Sequence, residues 1–340
     1  MTSVRRADLA SLADCAAIDA FLDAHPDATP FHRRAWVEAV TRGCGHKGHY
    51  LIAGDNAVTG MVPLHEVHSM LFGRALVSTG FAVGGGILAN DAASVEALGA
   101  AAWALAVETS CPTLELRGGA LPVDWVQDTT TYLNFTRDLA QDDEAELLAI
   151  PRKQRAEVRK ALGNELTFDV GDRRAHYAVY AESVRNLGTP VFPRSLFEAV
   201  LDAFGDDADV LTVRKGGVPL ASVLSLYHRG VVMPYWGGGT SAARPARAND
   251  MMYFALMRHA RERGCKRFDF GRSKTGTGAA AFKHNWGFDG VPLAYAKRSI
   301  GKAREINPLD PQYSRKVQLW QKLPLPIANR LGPMIARGLG

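Results

Sequence analysis

The chain has 340 residues, 47% of them hydrophobic and 22% charged, which is enough apolar material for two globular domains. It has no apolar run of about 18 residues that would indicate a transmembrane helix, and Asp8, Asp14 and Asp19 interrupt the apolar stretch that a signal peptide would need. The net charge of +5 favours an anionic partner without requiring one.

The cysteines and histidines do not follow a metal-binding pattern. The histidine pairs in HKGH (46–49) and HEVH (65–68) lack the spacing of the zinc-protease helix, and on a strand residues i and i+3 face opposite sides. The four cysteines have no metal-ligand spacing and are typical of small buried thiols in a reducing compartment: Cys15, Cys44, Cys111 and Cys265. The sequence therefore predicts a cytoplasmic protein that binds no metal.

The chain contains an internal repeat. Residues 50–64 and 210–224 each predict a strand, a tight turn and a second strand. GGGILAND (84–91) then corresponds to GGGTSAARPARAND (237–250), and in both halves a helix and another strand follow. Such an alternation of strands and helices predicts an α/β protein built from two similar halves.

A basic helix is predicted just after the boundary between the halves, which we place at 145/146. In IPRKQRAEVRKALGNEL (150–166), the residues Arg152, Arg155 and Arg159 share one helix face. Such a stripe either binds phosphates or an RNA backbone, or is an ordinary solvated face.

A glycine-rich strand end follows in the second half. VVMPYWGGGT (231–240) predicts a strand, and a helix is predicted to begin near Asn249 as the N-cap, with Asp250 in its first turn. Free backbone N–H groups at such a junction can bind an anion, and Arg244 and Arg247 would add positive charge. The alternative is a plain loop with solvated arginines.

The segment FDFGRSKTGTGAAAFKHNWGF (268–288) matches no nucleotide motif in full. The other kinase motifs are absent, Thr277 replaces the lysine of a phosphate-binding loop, and the glycines lack the setting of a dinucleotide fold. The segment predicts a buried strand, a loop and a short helix. Asp269 lies on the strand, and pairing with Arg272 just past its end is one interpretation of its role.

The last forty residues form a basic tail that contains several prolines. Its mixture of Leu, Ile and Trp with Lys and Arg is typical of a segment at a membrane surface, although Pro324, Pro326 and Pro333 interrupt a long helix. We expect a late helix followed by an irregular end.

Taken together, these segments resemble the FemAB family, and within it the proteins associated with PEP-CTERM/exosortase and exopolysaccharide systems. The resemblance covers the second half closely and the first half more loosely. Its most specific segments are 150–162, 183–200, 233–239, 246–257 and 268–288. The resemblance implies two tandem GNAT-like (acyl-CoA N-acyltransferase-like) domains with mixed central sheets, at 1–145 and 146–300, followed by the tail at 301–340.

The resemblance also implies an enzyme that transfers an acyl or aminoacyl group to an amine. The amine would attack the activated carbonyl directly, without a covalent enzyme intermediate, on a cell-envelope or exopolysaccharide precursor. The donor would be aminoacyl-tRNA or acyl-CoA, with no bound cofactor. The glycine loop 237–249 lacks the usual acetyl-CoA pyrophosphate signature, and the chain lacks the long coiled-coil insertion of some FemAB proteins, so the donor stays open.

The resemblance places the reaction in the gap between the strands VVMPYW and KRFDFG. We predict Tyr235 and Asp269 as catalytic residues. The predicted substrate-binding residues are Arg155, Arg159, Trp236, Asn249, Asp250, Arg272, Ser273, Lys274 and Lys283. The competing hypothesis is a non-catalytic protein with a degenerate GNAT fold that binds RNA or a lipid-linked sugar. Peripheral contact of the tail with the inner face of the membrane is a third expectation.

Overall fold

The computed structural model describes residues 2–69, 73–301 and 311–340, with side chains from residue 316 onward in the last segment. Two mixed β-sheets form the centre of the molecule, one mainly from each half of the sequence. The strands and helices repeat in the same order in both halves, as the internal repeat predicts. The prediction of an α/β protein built from two similar halves is confirmed.

The first sheet has the strand order β1-β2-β3-β4-β6-β15-β7, with β5 paired to β3. Its helices precede and follow the central hairpin, and α3 packs across β2 and β3. The elements of the first half are β1 (Val4–Arg6), α1 (Leu12–Ala24), α2 (Arg34–Cys44), β2 (Lys47–Ala53), β3 (Gly60–Ser69), β4 (Gly73–Ser78), β5 (Leu88–Ala89), α3 (Ala92–Glu108), β6 (Thr113–Arg117), β7 (Gln127–Asp128), β8 (Tyr132–Asp138) and α4 (Asp143–Ala149).

The second sheet has the strand order β14-β8-β13-β12-β11-β10-β9. Helices α5 and α9 cover one face, and α6 covers the other. The elements of this half are α5 (Arg152–Leu162), β9 (Leu166–Val170), α6 (Arg173–Asn186), α7 (Arg194–Phe204), β10 (Ala208–Lys215), β11 (Val218–His228), β12 (Val231–Gly239), α8 (Ala243–Ala246), α9 (Ala248–Glu262), β13 (Arg267–Lys274), α10 (Gly278–Asn285), β14 (Gly290–Pro292) and β15 (Tyr295–Ser299).

The two halves exchange a strand. β8 precedes the predicted boundary at 145/146 but pairs with β13 in the second sheet, from Arg267↔Asp138 to Lys274↔Tyr132. β15 follows β13 in the chain but pairs with β6 in the first sheet, from Tyr295↔Arg117 to Ser299↔Thr113. Each strand therefore occupies the position that its counterpart would hold without the exchange. Backbone hydrogen bonds thus tie the two halves of the chain together.

A shared hydrophobic core also joins the halves. Trp36 and Val40 of α2 belong to the same buried cluster as Phe197 of α7 and Trp236 of β12. Helix α2 packs closely against α7, where Gly43 brings the two backbones together: a Cβ at this glycine would lie 2.5 Å from the Cα of Leu196. The halves therefore form one packed body.

The predicted hairpin turn of the second half is confirmed. Gly216 and Gly217 join β10 to β11 with φ angles of 55° and 80°, which favour glycine. The prediction that Asn249 caps the next helix is wrong. Arg247, with a φ of 58°, is the residue before α9, and Asn249 lies in the first turn of that helix.

The tail contains two helices, α11 (Pro311–Gln321) and α12 (Leu325–Ala336), where the sequence predicted one helix and an irregular end. Pro326 lies at the start of α12, which tolerates a missing N–H donor, and Pro333 lies inside it. The part of the predicted tail at 302–310 lies outside the described residues. Among the residues described, no helix is both long and apolar enough to cross a bilayer.

Candidate active site

The gap between β12 and β13 is the central feature of the second half. These parallel strands pair at only two positions, Val231↔Arg267 and Val232↔Phe268, and then separate. Beyond these pairs the facing strand edges carry backbone N–H and C=O groups that the ladder no longer joins. The strands that the sequence placed on either side of the gap are therefore the strands that form it.

Both strands carry an extra residue just beyond this point. Tyr235 is the extra residue of β12 opposite β11, because Leu224 pairs with Trp236 and Ser225 pairs with Pro234. Phe270 is the extra residue of β13 opposite β8. Such bulges bend a strand and increase its twist, and they are frequent beside active sites. Here they turn the two strands apart.

A cavity of about 480 Å³ lies where the strands separate. Met233 and Asp269, the residues directly after the last paired positions, belong to its wall. The remaining residues come from β8, from loops of the first half and from the β14–β15 connection: His25, Asp27, Thr29, Phe31, His32, Val83, Gly84, Gly85, Ile87, Leu88, Ala89, Gly118, Gly119, Ala120, Asn134 and Leu293. We call it the active-site cavity. Both halves of the chain are needed to form it.

Asp269 is the predicted site residue that lines this cavity. One carboxylate oxygen accepts a hydrogen bond of 2.8 Å from the backbone N–H of Gly271, which fixes the bulge of β13. Burial raises the pKa of Asp269, although hydrogen bonds from Gly271 and Asn134 and the nearby charge of Lys283 oppose that effect. Asp269 forms no ion pair with Arg272 in the described part of the chain, so the local pairing considered from the sequence is not found.

Lys283 lies behind the bulge rather than in the cavity. Its Nζ donates to the backbone carbonyls of Gly271 and Arg272, at 2.8 and 3.0 Å. The ammonium group also lies 5.3 and 5.5 Å from the ring centroids of Phe135 and Phe270. Burial lowers the pKa of Lys283 to about 7, and the neighbouring Asp269 limits that fall. Lys283 therefore holds the strand edge on which Asp269 sits.

Arg272 is clamped between aromatic side chains. Its guanidinium lies 4.4 Å from the Tyr132 ring centroid and donates a hydrogen bond of 2.9 Å to the hydroxyl of Tyr295. That hydroxyl donates in turn to the carbonyl of Val83, a residue of the cavity wall. Arg272 therefore borders the cavity and links β13 to the exchanged strand β15.

Tyr235 and Trp236 belong to the shared core. The Tyr235 hydroxyl donates to the carbonyl of Phe81, and burial raises its pKa well above the usual range. Trp236 is buried against Trp36 and Phe197. Neither side chain lines the active-site cavity. The predicted catalytic role of Tyr235 therefore has no geometric support, since its one donor is already in use.

The start of α9 is enclosed by α5. Gln154 donates a hydrogen bond of 2.6 Å to Asp250, and Arg247 pairs with Glu157. Burial raises the pKa of Asp250. The side-chain oxygen of Asn249 is buried without a partner and faces the backbone of β12 at Gly239. Two acids near the helix N-terminus make it a poor site for a second anion.

The arginines of the basic stripe of α5 differ in their contacts. Arg155 donates to the carbonyls of Leu148 and Ile150 and so anchors the end of α4. Arg159 is exposed, and the described residues offer it no acidic partner. Of the remaining predicted residues, Ser273 is buried and Lys274 is partly exposed at the end of β13.

The equivalent gap in the first half is closed. β4 ends at Ser78, whose hydroxyl accepts a hydrogen bond from the N–H of Arg117. The Arg117 guanidinium, held by Glu115 at 2.8 Å, donates to the carbonyls of Thr79 and Ala82 in the loop after β4. The loop is thereby tied across the space between β4 and β6, so the open gap lies in the second half.

The sequence did not identify the part of the site that the first half supplies. His25 and Asp27 lie in the connection after α1, and Asn134 lies on the exchanged strand β8. These residues have no motif of their own, because their position follows from the packing of the halves. The described residues contain no group of three or more metal-ligating side chains.

Comparisons with known proteins agree with this architecture. Residues 151–284 match the sequence profile of a family described as "Acetyltransferase (GNAT) domain". No curated protein sequence matches the chain. Among solved structures, FemX superposes with a TM-score of 0.63 at 16% identity, covering 94% of this chain and 100% of that one.

Two further structures have a similar fold. The C-terminal domain of a putative lysylphosphatidylglycerol synthetase from Agrobacterium fabrum has a TM-score of 0.57 at 14% identity, covering 85% of this chain and 92% of that chain. A tandem GNAT protein from the clavulanic acid biosynthesis pathway has a TM-score of 0.54 at 13% identity, with coverages of 88% and 100%. The prediction of two tandem GNAT-like domains with mixed central sheets is thereby confirmed.

Proposed function

We propose that the protein is an N-acyltransferase or N-aminoacyltransferase of the FemAB type. The observation that carries the proposal is the active-site cavity at the point where β12 and β13 separate. There a carboxylate, Asp269, lies beside strand edges whose backbone groups the ladder leaves unjoined. A GNAT-like fold does not by itself define a reaction, so the proposal rests on this juxtaposition.

The proposed reaction is direct transfer between two bound substrates. The acceptor amine attacks the donor carbonyl, a C–N bond forms, and the bond from that carbon to the donor's sulfur or oxygen breaks. Asp269 accepts the proton that the amine loses, and the proton then passes to the departing thiolate or alkoxide. Backbone N–H groups at the open strand edges stabilise the oxyanion. The cavity holds the reacting groups together, which supplies much of the acceleration.

Two features favour aminoacyl-tRNA as the donor over acyl-CoA. GNAT acyltransferases use acyl-CoA as co-substrate. In this chain, however, Asp250 lies in the first turn of α9, and Glu157 of α5 pairs with Arg247 just before it. These acids stand where a pyrophosphate would otherwise meet the helix dipole. Arg152, Lys153 and Arg159 are exposed on α5 without acidic partners among the described residues, as a site for an RNA backbone requires.

Thermal protection distinguishes the donors. We expect an aminoacyl-tRNA mixture to raise the Tm of the purified protein and acetyl-CoA to raise it less, with the tRNA effect declining as salt increases. Arg159→Glu, combined with Arg152→Glu, should reduce the tRNA effect. Lys215→Glu, at an exposed lysine of the β10–β11 hairpin, is the matched control and should leave the protection by tRNA unchanged.

The same experiment distinguishes the enzyme from the competing hypothesis of a non-catalytic binding protein. Deacylated tRNA that protects as well as aminoacyl-tRNA would favour the non-catalytic RNA-binding protein. Protection by neither donor would count against the enzyme. Protection by acetyl-CoA alone would support an acyltransferase whose donor is acyl-CoA rather than aminoacyl-tRNA.

We also propose that the acceptor is an amino group on a cell-envelope or exopolysaccharide precursor. The support is the sequence resemblance of residues 150–162, 233–239 and 268–288 to FemAB proteins of the PEP-CTERM/exosortase subgroup, together with the similarity in fold to FemX.

A further inference from the structure

We infer that the part of the acceptor entering the active-site cavity is a compact amine with hydroxyl or carbonyl oxygens and no phosphate or carboxylate. The inference rests on the proposed function, because it assigns the cavity to the acceptor. It narrows the substrate class from any amine-bearing precursor to one whose reactive end carries no negative charge.

The charge of the cavity wall is the first reason. Two carboxyl groups, Asp27 and Asp269, belong to the wall, which contains no lysine or arginine. His32 does not offset them, because burial lowers its pKa to about 4 and the ring is neutral at pH 7. A phosphate entering this space would meet like charges without a cation to pair with it, whereas an ammonium group would be attracted.

Two arginines that support the cavity wall are already engaged. Arg229 donates to the backbone carbonyls of Leu22, Asp23 and His25, which fixes the loop that carries His25. Arg272 is held by Tyr295 and by the Tyr132 ring. Both guanidinium groups are therefore used to build the wall.

His25 gives the cavity a specific donor. Its Nδ1 accepts a hydrogen bond of 3.2 Å from the N–H of Asp27, so in the neutral ring the proton is on Nε2. His25 is 91% buried and lines the cavity, and no described residue accepts a hydrogen bond from Nε2. The Nε2–H group can therefore donate a hydrogen bond to an oxygen of the acceptor.

The size of the cavity also fits a compact, uncharged acceptor group. Its volume of about 480 Å³ is in the lower half of the range of about 300–1,000 Å³ for small-molecule sites. Phe31, Met233 and Leu293 supply apolar surface between the polar groups. A single amino sugar with its ring against this surface, its amine at Asp269 and an oxygen at His25 satisfies these constraints.

Ligand-observed NMR titration with glucosamine and glucosamine 6-phosphate tests the inference without requiring turnover. We expect glucosamine to bind at least about tenfold more tightly than its phosphate, since one repulsive charge costs about 1.4 kcal/mol or more. His25→Leu should weaken glucosamine binding about tenfold by removing the donor. His68→Leu, a histidine outside the cavity wall, should leave binding unchanged.

Asp27→Lys provides a second variant at an exposed position. It should bring the two affinities together, because it adds the cation that the wall lacks. Equal binding of both probes by the unmodified protein, or no binding of either, would overturn the inference. Neither result affects donor protection, so failure here is distinguishable from failure of the proposed function.

We propose separately that α12 binds the surface of an anionic membrane. Its small residues Ala328, Gly332 and Ala336 are buried, and α12 packs against α6. The opposite face exposes Ile327, Leu331 and Met334, which are 47%, 42% and 72% accessible. A helix packed on a protein normally exposes a polar face, so this exposed apolar face is unusual.

The charge of the tail identifies the partner. Residues 311–340 contain five lysines and arginines and no aspartate or glutamate. Lys322, Arg330 and Arg337 are exposed and form no ion pair with a described residue. Arg330 lies one turn from Ile327 and Met334. An apolar face bordered by cations is the pattern of a helix that lies in the plane of an anionic lipid surface.

Vesicle flotation tests this contact. We expect the full chain to float with phosphatidylglycerol-containing vesicles, less so at high salt, and not with pure phosphatidylcholine. The triple variant Ile327→Ser, Leu331→Ser and Met334→Ser should lose most of the bound fraction. The matched control Val123→Ser, Val126→Ser and Val291→Ser, at exposed valines elsewhere, should retain it. Equal loss in both variants, or no flotation of the unmodified chain, would overturn the proposal.

Discussion

Replacing Asp269 with asparagine is expected to lower kcat/KM for acyl transfer by about 10²- to 10⁴-fold, the usual contribution of a positioned general base. The amide oxygen of asparagine can still accept the N–H of Gly271, so the bulge of β13 should persist. What the change removes is the group that accepts a proton. Steady-state kinetics with saturating donor measure the effect.

The pH profile gives this prediction a second readout. Because burial raises the pKa of Asp269, the rate of the unmodified enzyme should fall with decreasing pH at a higher pH than for an ordinary aspartate. The asparagine variant should lack that dependence. Asp138→Asn, an exposed aspartate on the neighbouring strand β8, is the matched control. Unchanged turnover in Asp269→Asn would remove Asp269 from the role of base.

Asp269 should also lower stability at neutral pH. Its folded-state pKa is raised, so the folded protein binds more protons than the unfolded chain between the unfolded and folded pKa values. The free energy of unfolding contributed by this group therefore falls as pH rises through that interval. Asp269→Asn should consequently have a Tm equal to or above that of the unmodified protein at pH 7, which is a common relation between activity and stability at active sites.

The effect of Lys283→Met on stability is expected to depend on pH. The folded-state pKa of about 7 lies below the usual value of 10.5. The folded protein therefore binds fewer protons between these values, and stability rises with pH across that range. From pH 7 to 10 the gain is at most about 4 kcal/mol, at 1.36 kcal/mol per pH unit.

The methionine variant loses this gain and also the donor to Gly271 and Arg272, which costs about 1–3 kcal/mol for each buried carbonyl left unpaired. We therefore expect it to be less stable than the unmodified protein at pH 9, with the difference narrowing or reversing at pH 6. Urea unfolding at the two pH values measures this. Lys266→Met, at an exposed lysine, should show no such dependence on pH. Parallel shifts of both variants would contradict a lowered pKa.

Much of the fold follows from local sequence pattern. The two hairpins, the glycine-rich end of β12 and the strand β13 are marked by residues whose conformational preferences act locally, such as Gly216 and Gly217. The strand exchange is different. β8 and β15 are short strands with no feature that favours one sheet over the other, and each is selected by the sheet edge that the packed halves present.

Only the wall of the site that β12 and β13 form could be predicted from the sequence. Asp269 lies on a recognisable strand, and the gap follows from the order of β12 and β13. His25 and Asn134 reach the cavity through the contact between the halves, which no local pattern encodes. For Arg155 the local pattern predicted a contact that the structure does not show. Its place in a basic stripe predicted that it binds a phosphate, whereas two carbonyl groups at the end of α4 accept its hydrogen bonds.

The central claim is acyl transfer in the cavity where β12 and β13 separate. The most direct measurement is amine-dependent consumption of donor, with aminoacyl-tRNA and acetyl-CoA as parallel donors, glucosamine as acceptor and product detected by mass spectrometry. We predict N-acylated product with one donor, in an amount that depends on the enzyme and falls at least about 100-fold in Asp269→Asn. Amine-independent consumption, or product formation that Asp269→Asn leaves unchanged, would contradict it.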